Sequence, residues 1–199
     1  MKEFNQLFPD LHVVNDVVLS KFNVSREDCK MTRLWNFHSY REYYDFTPGE
    51  YVRLSVDNKT VMSNTPMEVR TNQEFIQEAK GDVFIAGLGI GMVIYEILKK
   101  PEVNSITVVE VKKTVIDVVM PYLSQIKGIE KVKIIHGDVF NIELTEKFDT
   151  IYFDIWNTVS GNNYPEMKLL TKKYQKNKRQ RSQKILHWRK KDCRYLNNN

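Results

Sequence analysis

The hydrophobic pattern of the chain changes character near residue 81. From Asp82 onward, unbroken apolar runs alternate with helical periodicity: "DVFIAG", "MVIYEILKK" closed by Pro101, "SITVVEV", "KKTVIDVVMPYLSQI", "KVKIIHGD", "FDTIYFDIW", and "YPEMKLLTKKYQKNK" with Pro165 near its first turn. Continuous apolar strands are strands covered on both faces. The order strand, helix, strand, helix, strand, strand therefore predicts a parallel α/β sheet with right-handed crossovers. Before residue 81 the rhythm differs. "YVRLSV" and "TVMSN" flank Asp57, Asn58 and Lys59, which predicts a β-hairpin, because Asp and Asn tolerate the conformation of a tight reversal. "TNQEFIQEAK" predicts a helix leading into the first parallel strand. The expected organisation is a small β-rich N-terminal element over 1–80, a doubly wound core over 81–170 and a tail over 171–199.

Composition and charge narrow the picture. The 199 residues suffice for one domain with a proper core, and 42% hydrophobic content is ordinary for a soluble protein. No apolar run reaches the roughly 18 residues that a membrane span needs. "MKEFNQLFPD" carries acids and polar groups where a signal peptide has an apolar core. Cys29 and Cys193 are too few for a disulfide framework and have no metal-ligand spacing, so free thiols, a reducing cytoplasmic setting and no metal are expected. The net charge of +5 hides a split: 18 Lys and Arg against 24 Asp and Glu up to residue 167, and 12 against 1 from 168 on. The basic run "KKYQKNKRQRSQK" with "HWRKK" reads either as a solvated helix face or as a grip on a nucleic-acid backbone, with Tyr174 or Trp188 for stacking. The aromatic group Trp35, Phe37, Tyr40, Tyr43, Tyr44 and Phe46 reads as packing, and so does His136.

Candidate chemistry gathers at the first strand-to-helix junction, "GDVFIAGLGIGMVIYEILKK". In a doubly wound sheet the ligand lies over the carboxyl ends of the strands, and the first strand-to-helix turn is its floor. Gly87, Gly89 and Gly91 suit such a floor, because glycine admits positive φ and close approach to the main chain. Their spacing is G-x-G-x-G. A dinucleotide fingerprint would place its third glycine at Met92, and no P-loop lysine follows. Glu110, ending the second strand, is placed to accept the hydroxyls of a ribose, and Asp138, after the third, to take the amino group of an adenine. Each acid alone also reads as a helix cap. The three features in this order are far more specific.

At these residues the chain resembles the class I S-adenosylmethionine-dependent methyltransferases, with their Rossmann-like fold, and within them the spermidine synthase-like branch. The resemblance runs from about Tyr51 to Leu170. "VFIAGLGIGMVIYEILKKPEVNSITVVEVKKTVIDVV" is similar to the glycine motif, Pro-ended helix and ribose-binding acid; "KVKIIHGDVF" resembles the adenine motif and "FDTIYFDIW" the fourth strand. It implies that Gly87, Gly89 and Gly91 line the amino-acid part of S-adenosylmethionine, that Glu110 holds the ribose and Asp138 and Val139 the adenine, and that Asp154 faces the sulfonium.

Departures from that branch bear on the reaction. Ile90 stands where the aminopropyltransferases carry an acid in the glycine motif, and Asn157 where they carry the aspartate that deprotonates the amine. An amide cannot accept that proton. The resemblance then implies an S-adenosylmethionine-dependent methyltransferase of unknown acceptor, with Asp154 and Asn157 as candidate catalytic or orienting groups. The alternatives are an aminopropyltransferase relative, or a non-catalytic protein that binds the cofactor or nucleic acid. Only 42 residues follow Asn157, room for one short strand such as "QKILHW". The sheet is expected to be cut short, with its exposed edge covered by the tail, the hairpin or a second subunit in a homodimer.

Overall fold

The structure, a computed structural model, describes residues 1–30 and 47–198. The aromatic group from Trp35 to Phe46 lies outside the described residues. Helix α1 (Lys2–Gln6) precedes β1 (Leu11–Val14), β2 (Val17–Val24), β3 (Gly49–Val56) and β4 (Lys59–Ser63). These four strands form an antiparallel sheet in the order β1–β2–β3–β4. The expected hairpin is present: Val56 pairs with Lys59 across Asp57 and Asn58, whose φ values of 50° and 61° are both positive, as the two-residue primed turn demands. A second hairpin, β1–β2, turns at Asn15 with φ of 53°.

Two short helices follow, α2 (Pro66–Thr71) and α3 (Gln73–Glu78), where the sequence suggested one. Buried Asn72 separates them; its side-chain oxygen accepts from the Tyr152 hydroxyl at 2.7 Å and its amide donates to the Glu68 carbonyl. Then come β5 (Gly81–Ala86), α4 (Met92–Ile97), β6 (Val103–Glu110), α5 (Lys113–Leu123), β7 (Val132–His136), β8 (Thr150–Phe153), α6 (Asn163–Tyr174), β9 (Ile185–His187) and α7 (Lys190–Asn198). The five strands are parallel, in the order β7–β6–β5–β8–β9, so strand order reverses between β5 and β8. This is the doubly wound α/β fold that the apolar runs predict.

Side-chain alternation divides the core. Val83 and Ile85 of β5 and Tyr152 of β8 face one side, packing with α4, α5 and the N-terminal Phe4 and Phe8. Phe84, Ala86, Ile151 and Phe153 face the other, with Leu170 and Tyr174 of α6. Fully burying a side chain such as Phe84 or Phe153 contributes about 1.5–3 kcal/mol. The antiparallel sheet is fastened to the helices: Tyr122 bonds His12 Nδ1 at 2.8 Å, Lys112 pairs with Asp16, and the rings of Phe4 and Phe8 lie on Tyr95 and Tyr122. The hairpin β3–β4 is thereby held over the carboxyl end of the parallel sheet.

The chain after α6 covers the edge that β8 would otherwise expose. Strand β9 pairs with it from Ile151↔Ile185 to Phe153↔His187. Two expectations are corrected here. Tyr174 and Trp188 are not available for stacking on bases: both are buried, Tyr174 donating to the Val139 carbonyl and Trp188 to Thr71 Oγ1, because packing the tail against the sheet consumes its aromatics. His136 is exposed rather than packed, since β7 is an edge strand; its Nε2 lies 3.1 Å from the Val111 carbonyl oxygen.

Candidate functional site

Register places the candidate residues side by side. Ala86 lies opposite Val109 on one flank and Phe153 on the other, so Gly87 falls between Glu110 and Asp154. Glu110 lies opposite His136, which sets Asp138 two residues past the end of β7. Backbone bonds pin the junction: Gly87 N–H donates to the Val109 carbonyl and Asp154 N–H to the Ala86 carbonyl, both at 2.9 Å. Gly87 has φ of +96°, and a Cβ there would collide with the Asp154 carbonyl oxygen, so only glycine lets the two strand ends approach this closely.

Above this junction is a cavity of about 650 Å³. Gly87, Leu88 and Gly89 line it, as do Glu110, Asp138, Val139, Asp154 and Asn157, while Leu54, Val56 and Met62 of the hairpin form another wall. Met62 reaches the turn itself, its sulfur accepting the Ile90 N–H at 3.4 Å. Gly91 does not line the cavity. It caps α4 with φ of +76°, and a Cβ there would strike Leu123, so its small size lets α5 pack against the start of α4.

Glu110 is buried, and its carboxylate ties the turn to the strand end: Oε2 accepts Leu88 N–H at 2.9 Å and Oε1 accepts Lys112 N–H at 2.8 Å. Two bonds use half of the roughly four acceptor positions of a carboxylate, leaving one on each oxygen. Asp138 is arranged alike, Oδ1 accepting Phe140 N–H at 2.9 Å and Oδ2 the Asn141 side-chain amide at 2.6 Å, beside buried Val139. Asp154 is half-buried on the cavity wall, and burial, followed by the Glu68 carboxylate, pushes its carboxyl up to about 8. Asn157 is exposed at the mouth, and Ile90 is fully buried in the core, pointing no polar group into the cavity.

Glu68 and Met62 are among the lining residues missed in the sequence. Glu68 of α2 faces the same cavity as Asp154. Its signal was present: Thr65-Pro66-Met67-Glu68 has the spacing of a capping box, yet Thr65 makes no side-chain cap bond and Glu68 borders the cavity instead. Met62 belonged to a strand already recognised, but nothing in its spacing marked it as touching the glycine turn.

The cavity volume lies within the roughly 300–1,000 Å³ of small-ligand sites. Two carboxylates with unused acceptor positions stand at successive strand tips, bounded by glycine main chain and apolar hairpin residues. That donor and acceptor set fits a nucleoside: one carboxylate for vicinal hydroxyls, one for an exocyclic amine.

The family model of the spermine/spermidine synthase domain matches residues 61–181. No curated protein sequence matches the chain. Among solved structures, a DhpI complex with S-adenosylhomocysteine superposes at a TM-score of 0.43 with 13% identity over 55% of this chain and 50% of that one. The glycopeptide N-methyltransferase MtfA complexed with S-adenosyl-L-methionine gives 0.43 with 15% identity over 55% and 44%. Protein arginine methyltransferase 10 of Arabidopsis thaliana gives 0.42 with 20% identity over 53% and 31%. The match thus spans half or less of the length of each of these structures.

Proposed function

Because this chain belongs to the spermine/spermidine synthase domain family, we propose that its cavity binds S-adenosylmethionine and that the protein is a methyltransferase. The carrying observation is the convergence of Gly87, Gly89, Glu110, Asp138 and Asp154 on one cavity at the carboxyl ends of four adjacent parallel strands. In this reading Glu110 accepts from the ribose hydroxyls, Asp138 accepts from the adenine amine, and Val139 lies along the base. Gly87 and Gly89 present bare main chain to the amino-acid part. The cofactor supplies a methyl group on a cationic sulfur, and the protein's task is to place an acceptor in line with it.

Two observations favour methyl transfer over aminopropyl transfer. Ile90 is buried away from the cavity, and Asn157 at its mouth has no basic oxygen of carboxylate strength. Asp154, whose carboxyl stays protonated over much of the neutral range, serves as a hydrogen-bond donor that orients the acceptor. Aminopropyl transfer to a different amine is the second reading, and the Asp154 and Glu68 carboxyl groups, which border the same cavity, favour it. The test is to incubate the protein and a panel of amines, thiols and hydroxyl compounds with S-adenosylmethionine or with its decarboxylated form, and to identify products by mass. Methylated products from S-adenosylmethionine are expected. Aminopropyl adducts formed only from the decarboxylated donor would reject the methyl assignment.

A further inference from the structure

A second cavity of about 550 Å³ lies beside the first, at the free edge of β9. Trp188 lines the first cavity, and its indole N–H donates at 3.1 Å to Thr71, which lines the second. Five cations line the second cavity, Arg70, Arg189, Lys190, Lys191 and Arg194, against two acids, Glu74 and Asp192. Asp192 is already engaged by Arg189 at 2.9 Å. The floor includes buried Phe75 and Tyr152 and the partly buried Leu186.

Charge and hydrogen bonding add to this. Lys190 and Lys191 occupy the first turn of α7, with Arg194 one turn on. Free N–H groups make that end of a helix positive, so cations there repel it and an anion is attracted. Lys190 is held below its ordinary value first by burial and then by the neighbouring charge of Arg194. His187 lines the same cavity at 7% exposure; its Nε2 bonds Thr171 at 2.7 Å, and its Nδ1 has no partner among the described residues. Elsewhere in the basic run three cations are paired within the fold: Lys173 and Lys176 with Glu143, and Arg179 with Asp82 and Asp149. Lys190, Lys191 and Arg194 have no acidic partner among the described residues.

We propose that this second cavity binds a phosphate group, either free phosphate or a monoester on a small molecule, held by Lys190, Lys191 and Arg194 at the N-terminus of α7. The unit is a compact cavity, not a long stripe, so the ligand is a single phosphorylated molecule. Glycerol 3-phosphate and inorganic phosphate, titrated calorimetrically into the full chain, should each saturate one site at millimolar concentration or below. Tighter binding of the monoester assigns the site to phosphorylated metabolites; equal or weaker binding assigns it to free phosphate. Lys190→Gln with Arg194→Gln should weaken binding by about 10-fold or more without lowering the melting temperature, since the charges removed repel one another. Lys172→Gln with Lys184→Gln, an equal charge change at exposed positions outside the cavity, should leave binding unchanged. The proposal is overturned if neither probe saturates, or if both variant pairs lose affinity equally. It is also overturned if a single-stranded oligonucleotide of about twelve residues binds tighter than either probe and depends on Lys172 and Lys184.

Discussion

In the proposed methyl transfer, Asp154 is the residue that orients the acceptor. Burial and the neighbouring Glu68 raise its carboxyl from 3.8 to about 8, which means that the folded protein holds this proton more tightly than the unfolded chain does. The sign follows from linkage: the stability this group contributes is full below pH 3.8 and is lost as pH rises toward 8, because the unfolded chain releases the proton first. Asp154→Asn removes the titration. Between pH 5 and 9 the wild-type melting curve should therefore lose on the order of 2 kcal/mol more than the variant's, a figure discounted for water reaching the cavity. Parallel pH dependence in the two proteins would exclude a buried, raised carboxyl. Gly91 makes the complementary point about how far residues can be read from sequence. It belongs to the glycine pattern, yet its reason is packing against Leu123, a contact between residues 32 positions apart that spacing alone cannot express.

At the scale of elements, the parallel strands were legible because burial on both faces leaves continuous apolar runs, and the β3–β4 hairpin because its turn chemistry is local. What escaped depended on tertiary partners. The β1–β2 hairpin is short and half-exposed, so its pattern is weak. The break between α2 and α3 reflects a buried bond from Tyr152 to Asn72, which are 80 residues apart. Strand β9 was expected only as one short strand, and its three residues now define the sheet edge. Its role can be tested by ending the chain after Ser182, which removes β9 and α7. Buried Ile185, Trp188 and Cys193 are lost with it, at a cost of roughly 3 kcal/mol or more, and β8 becomes an unpaired edge. The truncated protein should elute partly as high-mass species and melt several degrees lower. An unaltered melting curve and a single elution peak would show that the tail is not part of the fold.

For the whole molecule, the split between an acidic body and a basic tail becomes an internal arrangement. Arg179 reaches Asp82 and Asp149 at the amino ends of β5 and β8, while Lys173 and Lys176 reach Glu143. Each exposed pair is worth little on its own. Together they turn three of the seven cations between Lys172 and Lys184 into packing of the tail on the rest of the fold. The opposite end of the sheet is left for the cavity, with the N-terminal hairpin fastened over it through Met62. The central claim is that this cavity is an S-adenosylmethionine site organised by Glu110. Calorimetric titration of S-adenosylmethionine into the wild type and Glu110→Ala tests it most directly, with a melting curve confirming that the variant is folded. One saturable site, weakened by about 1–3 kcal/mol in the variant, is the predicted result. Absence of binding at millimolar ligand, or equal affinity in the two folded proteins, would contradict the account.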